Sequence, residues 1–148
     1  MLRTNFVFDV DGTLTPSRQL INPEFASWWK SWCTGKWVYL VTGSNIQKTK
    51  EQLGMDFHQH VFISFQCCGN SVWKNDTEIY RNDWTLTDEQ YKTLKTVLDQ
   101  SSFKMRTGNH IEKRPGMVNF SIVGRNANFE QRAEYIKFDT KNKERKKY

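Results

Sequence analysis

Near its start the chain reads Asn5-Phe6-Val7-Phe8-Asp9-Val10-Asp11-Gly12-Thr13-Leu14-Thr15. Apolar residues lead up to two aspartates that stand two positions apart, and a glycine and a threonine follow at once. This pattern predicts a buried parallel β-strand that ends in a tight loop. In open α/β sheets, ligands bind at the carboxyl ends of the strands, which is where Asp9 and Asp11 fall. Two carboxylates this close in a dry site indicate a bound cation or a proton transfer.

The segment from Phe8 to Thr15 resembles the first signature of the haloacid dehalogenase-like (HAD) phosphotransferases. The resemblance implies that Asp9 is the nucleophile toward phosphorus and that Asp11 is the general acid/base. A carboxylate is nucleophilic at neutral pH, and an aspartyl phosphate divides one difficult displacement into two easier ones. The family also implies Mg²⁺, with Asp9 and Asp11 as its protein ligands. A surface turn is the structural alternative, but the strand before these residues and the threonines after them favour a site.

Length, composition and net charge limit the kinds of protein that this chain can be. A chain of 148 residues has room for about one domain, or for one domain and part of another. We expect no membrane partner, because no apolar run is long enough to span a bilayer. Cys33, Cys67 and Cys68 lack metal-ligand spacing and indicate reduced thiols in the cytoplasm. The net charge of +6 suits an anionic substrate and nucleic acid equally well.

The first half of the chain predicts a βαβαβ arrangement. Asn22 and Pro23 open a helix, and its apolar residues fall on one broad face. These residues are Phe25, Trp28, Trp29, Trp32 and Cys33. We interpret them as core, with a stacking surface for nucleic acid bases as the alternative. Two further buried strands are predicted at 37–41 and 61–65, with a helix between them.

Thr42, Gly43 and Ser44 follow the second predicted strand. A hydroxyl at this strand end resembles the second HAD signature, in which Ser or Thr binds the transferring phosphoryl group. Thr42 is the first candidate and Ser44 the second, with Gly43 between them. Ser44 is equally well explained as a helix cap, because Ser44 and Gln47 have the spacing of a capping box.

The second half predicts mixed helices and strands. A hairpin is expected over 71–81, and Thr87 and Gln90 form a capping box. The helix after Thr87 is expected to bury Tyr91, Leu94 and Leu98. A polar link over 101–109 leads to a strand at 118–123, and Asn128 opens a last helix that carries Arg132. The basic tail, 141–148, reads as a solvated helix face, so we do not expect nucleic acid binding.

Three segments are similar to the cap domain of eukaryotic-type phosphomannomutases. They are Ile111-Glu112-x-Arg114-x-Gly116-Met117-x-Asn119, Gly124-Arg125 and Glu130-Gln131-Arg132, where x marks positions outside the resemblance; Lys113 and Pro115 depart from the family. Thr15-Pro16-Ser17-Arg18-Gln19 also fits that group. The resemblance implies an α/β fold: a HAD-like, Rossmann-like parallel-sheet core over 1–82, followed by a partial α+β cap over 83–148.

The resemblance also implies a mutase that interconverts hexose 6-phosphate and hexose 1-phosphate through phospho-Asp9. Cap arginines would hold the phosphate that does not react, because guanidinium binds phosphate in a planar, bidentate way. These are Arg114, Arg125 and Arg132; Arg18 would reach in from the core, while Met117 and Asn119 would line the sugar. The family implies a hexose 1,6-bisphosphate primer and a homodimer formed through the cap. Solvated surface arginines are the structural alternative.

The chain also departs from the family. Asn45 replaces an acid, and family members continue past the last helix to supply a lysine and further metal-binding aspartates. We therefore expect a complementing C-terminal segment that belongs to a longer protein. A chain that completes its sheet by self-association is the second possibility, and an inactive remnant is the third. Without the complementing segment, the first strand is an open edge. The alternative functions are a HAD phosphatase for a small phosphorylated metabolite, and an inactive fragment or basic binding module.

Overall fold

The computed structural model describes residues 4–148, and the chain forms two compact units, Met1–Trp84 and Thr85–Tyr148. The first unit contains β1 (Asn5–Phe8), α1 (Pro23–Cys33), β2 (Trp37–Val41), α2 (Ile46–Leu53), β3 (Ile63–Gln66), β4 (Ser71–Lys74) and β5 (Thr77–Arg81). The second contains α3 (Asp88–Gln100), β6 (Ile111–Arg114), β7 (Met117–Phe120) and α4 (Phe129–Asn142). Across residues 4–148, we find no helix with both the length and the apolar character needed to cross a bilayer.

The first unit is built on one sheet with the strand order β1-β2-β3-β4-β5. The strands β1, β2 and β3 run parallel, and β4 and β5 add an antiparallel hairpin. The predicted α/β class and the βαβαβ order are therefore confirmed. Because parallel strands end at the same edge, the residues after β1 and β2 meet there.

The core of this unit lies between the sheet and its helices. Its buried members are Val10, Leu14, Trp29, Cys33, Val38, Leu40, Leu53, Phe57 and Val61. Helix α1 begins as predicted, since the Asn22 side chain accepts a hydrogen bond from the Phe25 N–H and Pro23 occupies the first turn. This packing fixes the strands whose ends carry the candidate site.

One burial prediction in this unit is wrong, and another is right in part. Strand β1 is not buried: Val7 is 64% exposed, because it lies on the face opposite Phe6 and Phe8, which contact Trp32 of α1. On α1, Trp29 and Cys33 are buried, and Phe25 and Trp32 pack against the same core. Trp28 is exposed and stacks on the rings of Phe25 and Trp32. The apolar stripe of α1 is thus wider than the core that it covers.

The second unit contains a hairpin that the sequence pattern did not predict. A single strand over 118–123 was expected, but β6 and β7 pair in antiparallel fashion around a Pro115-Gly116 turn. The chain bends away at Gly124, whose φ is +95°. A Cβ there would lie 1.8 Å from the Thr107 carbonyl oxygen, so only glycine fits this bend. The predicted strand therefore stops at Phe120.

The core of the second unit is small and lies near the C-terminal end of α3. Its buried members are Ile122, Val123, Ala127 and Tyr135. Helix α3 begins with the predicted Thr87–Gln90 capping box, but it contains no fully buried residue, and Tyr91 is exposed. The expected buried stripe is wrong, because only Val97 and Leu98 of this helix pack on the core.

The basic tail is anchored by one acid rather than solvated throughout. Glu144 lies in a short 3-10 turn and is 4% exposed. Its carboxylate accepts hydrogen bonds from the Ser101 hydroxyl at 2.8 Å, the Ser102 N–H at 3.3 Å and the Tyr135 hydroxyl at 3.2 Å. Burial, followed by the Glu144 charge, raises the pKa of the Tyr135 phenol above its ordinary value. The prediction of a solvated tail is therefore wrong at Glu144.

Replacing Glu144 with alanine is expected to lower the free energy of unfolding of the second unit by about 2 kcal/mol, because two buried hydroxyls and one partly buried N–H lose their acceptor. Glu134→Ala is the matched control, since Glu134 is exposed on α4 and its loss should cost less than about 0.5 kcal/mol. Urea unfolding of the full chain measures both variants. Equal midpoints for the two variants would contradict the anchoring role.

Candidate active site

Asp9 stands at the tip of β1 on a closely hydrogen-bonded loop. It follows the strand directly and is exposed, and its carboxylate accepts no hydrogen bond from residues 4–148. The next residue, Val10, is fully buried, and its carbonyl accepts bonds from the N–H groups of Thr13, Leu14 and Thr15 at 3.0–3.2 Å. The loop therefore holds Asp9 in place while leaving its carboxylate open to a ligand.

Asp11 is oriented by two donors. Its Oδ1 accepts from the backbone N–H of Arg18 at 2.6 Å and from the Gln52 side-chain amide at 2.8 Å. Gln52 is 1% exposed and also donates to the Thr15 hydroxyl at 3.1 Å. A carboxylate fixed in this way can present its other oxygen in a constant direction, as a general acid/base requires. The predicted residue Arg18 lies beside Asp11 through its backbone, and its side chain is exposed.

Gln52 was not predicted as part of the site. It lies on α2, which buries Thr49, Gln52 and Leu53. The available signal was a long polar side chain on the buried face of a helix, because such a group needs partners in the core. Its partner is 41 positions away in sequence, so local patterns could not identify it.

Replacing Gln52 with leucine is expected to lower the rate of phosphoryl transfer about tenfold, because Asp11 then keeps only one of its two donors. The value of kcat should fall while KM changes little, since Gln52 acts through Asp11 and not through the substrate. Steady-state kinetics with Gln47→Leu as the control measures this, because Gln47 is exposed on the same helix. A Gln52→Leu enzyme with unchanged kcat would contradict the positioning role.

The turn after β2 carries two hydroxyl groups, which differ in their exposure to solvent and in their hydrogen bonds. Thr42 is 3% exposed, and its hydroxyl oxygen accepts from the Ser44 N–H at 3.1 Å. The predicted capping box at Ser44 is wrong: Asn45 caps α2 and accepts from the Lys48 N–H at 2.9 Å. The Ser44 hydroxyl makes no hydrogen bond within the described chain. The geometry therefore favours Ser44 over Thr42 as the donor to a phosphate, with exposed Gly43 between them.

In the second unit, one face of the hairpin carries three of the candidate residues together with Glu112. Glu112 pairs with Asn119 across the strands, and Arg114 pairs with Met117. Since alternate residues of a strand share a face, these four side chains lie together. With its amide oxygen turned toward Arg114, Asn119 accepts from the guanidinium at 3.1 and 3.3 Å. The structure thus brings Arg114, Met117 and Asn119 into one cluster.

Glu112 joins two of the predicted arginines. It accepts from Arg114 Nη2 through both oxygens at 3.2 Å, and Arg125 Nε lies 2.8 Å from its Oε2. Burial alone would raise the pKa of Glu112, but the charges of Arg114 and Arg125 outweigh burial and hold this pKa below its ordinary value. Each guanidinium has five N–H donors, so it can bind more than one acceptor at the same time. Glu112 was not assigned a role from the sequence, although its i, i+2 spacing to Arg114 in a strand was a usable signal.

Arg132 contacts the loop that carries Arg125. Its Nε donates to the Ala127 carbonyl at 2.9 Å, and its Nη2 donates to the Arg125 carbonyl at 3.0 Å. It lies on α4, which begins with the predicted Asn128–Gln131 capping box. These contacts order the backbone on which Arg125 is mounted. Arg132 therefore has a positioning role in addition to the charge that it supplies.

The chain is similar to curated phosphomannomutases over most of its length. The family model of eukaryotic phosphomannomutase matches residues 33–148. The chain is 32% identical over 155 residues to a phosphomannomutase of Saccharomyces cerevisiae, covering 98% of this chain and 59% of the yeast protein. It is 35% identical over 140 residues to a phosphomannomutase of Oryza sativa subsp. indica, covering 90% of this chain and 56% of the rice protein. The chain thus spans less than two thirds of the length of these relatives.

One of the similar solved structures supports the fold. An IMP-nucleotidase of Plasmodium falciparum superposes with a TM-score of 0.50 at 14% identity, covering 89% of this chain and 40% of that chain. A haloacid dehalogenase-like hydrolase from Bacteroides thetaiotaomicron gives a TM-score of 0.48 at 20% identity, covering 66% of this chain and 38% of that chain. Since the family model covers more than half of the residues, the chain belongs to the eukaryotic phosphomannomutase family.

Proposed function

We propose that this chain acts as a phosphohexose mutase that interconverts hexose 6-phosphate and hexose 1-phosphate through phospho-Asp9. The observation that carries the proposal is the exposed Asp9 carboxylate at the tip of β1, with the oriented Asp11 two residues later. An Asp9 oxygen would form a bond to phosphorus as the bond from phosphorus to the sugar oxygen breaks. Asp11 would give its proton to that leaving oxygen.

The return transfer completes a mutase cycle. Asp11 would take the proton from a hydroxyl of the bound sugar, and that oxygen would attack the aspartyl phosphate and regenerate the Asp9 carboxylate. A hexose 1,6-bisphosphate would supply the first phosphoryl group and serve as the intermediate. Ser44, with Thr42 and Gly43, would hold the transferring group by hydrogen bonds, which stabilise charge on its oxygens.

Substrate recognition is proposed for the second unit, as a cap over 83–148 that serves a core over 1–82. Arg114 and Arg125 would bind the phosphate that does not react, and Glu112 would keep both guanidinium planes in place. Met117 and Asn119 would contact the sugar, while Arg132 supports Arg125. Arg18 would add positive charge from the core.

Mg²⁺ is proposed as the cofactor. Asp9 and Asp11 provide the carboxylate oxygens that this ion prefers, and Asp9 has no competing partner within residues 4–148. The described residues contain no group of three or more His, Cys, Asp or Glu side chains that could hold a metal. Oxygens of water and of the substrate phosphate would therefore supply the remaining ligands. A bound Mg²⁺ ion would neutralise phosphate charge during transfer.

Further partners are proposed on physical grounds. The open edge of β1, with Val7 exposed beside the nucleophile, supports pairing with a complementing C-terminal segment like the part of the relatives that this chain does not match. A homodimer through the cap is the second proposed assembly. Among the described residues, Cys33, Cys67 and Cys68 form no disulfide, which supports a cytoplasmic location.

The test of the function is a product analysis with mannose 1-phosphate, glucose 1,6-bisphosphate and Mg²⁺. The expected result is isomerisation to mannose 6-phosphate, read by phosphorus NMR. Release of inorganic phosphate alone would contradict the mutase and support a HAD phosphatase. Such an enzyme uses the same Asp9 and Asp11 but transfers the phosphoryl group to water. No turnover of either kind would contradict the proposed activity.

A further inference from the structure

A polar cavity lies at the edge of the first sheet opposite to Asp9. It has a volume of about 380 Å³ and is lined by residues that precede β2 and β3, with Asn75 from the β4–β5 turn. The side chains used below are Cys33, Lys36, His58, Gln59, His60 and Asn75. Strand β2 has five residues and separates this cavity from the Thr42 turn by about 16 Å. The cavity is therefore distinct from the candidate active site.

The lining of this cavity consists mainly of hydrogen-bond donors. Lys36 is cationic; its Nζ donates one hydrogen bond to the Trp32 carbonyl, which leaves two N–H donors on the ammonium. His58 and His60 each have a ring N–H, and Gln59 and Asn75 carry amide NH₂ groups. No acidic side chain of the described residues lines the cavity. Burial outweighs the opposing charge of Lys36 and raises the pKa of the Cys33 thiol to about 11, so this group is neutral and adds no negative charge. The lining suits an anion and repels a cation.

Acidic groups near the two histidines are each shared with a lysine. Asp76 lies 3.1 Å from His58 Nε2 and 2.9 Å from Lys50 Nζ. Asp56 lies 2.8 Å from Lys30 Nζ and 3.9 Å from His60 Nε2. Their charges are therefore largely balanced by lysines outside the cavity lining.

One buried atom in this lining is without a partner. His58 Nδ1 is shielded from solvent and makes no hydrogen bond within residues 4–148, while Nε2 of the same ring faces Asp76. An unsatisfied buried polar atom is costly, and such atoms in native structures point to a ligand or water. In this conformation Nδ1 is closed to any ligand, so the ring must turn to reach a phosphate, whose oxygens accept a hydrogen bond and whose P–OH group donates one.

We propose that this cavity is a second anion site, which binds a phosphate group through Lys36, His58 and His60 with help from the Gln59 and Asn75 amides. The ligand is inorganic phosphate or the phosphate of a small phosphorylated sugar, since both present the same tetrahedral oxyanion. Phosphate binding at this site does not depend on phosphoryl transfer at Asp9. A negative result for one proposal therefore leaves the other unaffected.

The first test is a titration of the full-length chain followed by NMR of its histidine side chains at constant ionic strength, set with chloride. Inorganic phosphate is expected to shift the His58 and His60 ring resonances in a saturable way. A parallel titration with glucose 6-phosphate distinguishes the two sources, because only a site open to the sugar responds to both. Resonances of His58 and His60 that respond no more to phosphate than to chloride would overturn the proposal.

Two histidine variants test whether phosphate binds in this cavity. His58→Gln is expected to weaken phosphate binding about tenfold, read at His60, because it removes one hydrogen bond to a charged ligand. His110→Gln is the matched control, since His110 lies in the second unit and bonds through Nδ1 to the Ser121 carbonyl oxygen. Equal weakening by the two variants would overturn the assignment. The titration of the unaltered chain decides the question if His58→Gln does not fold.

Discussion

Replacing Asp9 with asparagine is expected to lower the rate of phosphoryl transfer by about 10⁴-fold or more, because an amide cannot replace the attacking carboxylate. The substitution keeps the size of the side chain, and the described chain donates no hydrogen bond to the Asp9 carboxylate. The fold should therefore be unchanged. The rate is measured with mannose 1-phosphate and glucose 1,6-bisphosphate, and thermal unfolding of the same sample checks the fold.

Asp83→Asn is the matched control for this experiment. Asp83 is also exposed in the first unit and follows β5, away from the loop that carries Asp9. Its loss should change the rate by less than a factor of about two. An Asp9→Asn variant that retains the rate of this control would remove the nucleophile from the mechanism.

Replacing Arg114 with alanine is expected to weaken the productive binding of hexose phosphate by about 10²-fold or more, seen as a loss in kcat/KM. Arg114 Nη2 contacts both oxygens of Glu112, and its side chain is only 8% exposed, so it is held in one orientation. Its removal deletes the proposed phosphate donor and leaves Glu112 with Arg125 as its arginine partner. Arg114→Lys should restore only part of the loss, because lysine lacks the planar fork.

Arg81→Ala is the control for this second prediction. Arg81 is 53% exposed on β5 and pairs with Glu78. Its removal lowers the net charge by one, as Arg114→Ala does, but leaves the side chains of the β6–β7 hairpin unchanged. A similar loss of kcat/KM in Arg81→Ala and Arg114→Ala would show that general charge, rather than the Glu112 cluster, binds the substrate.

Local features were predictable from the sequence. The caps at Asn22, Thr87 and Asn128 were identified correctly, because a capping side chain bonds to backbone only three residues away. The parallel strands and their order along the chain were also identified, since apolar runs of this length between helices specify a buried sheet. The aspartates at the tip of β1 followed from the same pattern.

Long-range partners were not predictable. Glu144 bonds to Ser101, which is 43 positions away, and Gln52 bonds to Asp11 across 41 positions. No periodicity encodes such pairs, because they depend on which elements pack together. The open edge of β1 was expected, but the exposure of Val7 was missed for a related reason: an apolar residue in a strand reads as buried whether or not its face of the sheet is covered. The cap of α2 was missed because Ser44 and Asn45 are adjacent and both suit that role.

Site-resolved mass spectrometry of the chain after brief exposure to glucose 1,6-bisphosphate and Mg²⁺ tests the central claim most directly. The account predicts one added phosphoryl group on the peptide that contains Asp9, removable by hydroxylamine as expected for an acyl phosphate. A phosphoryl group on Ser44 or Asp11, or none on the Asp9 peptide, would contradict it.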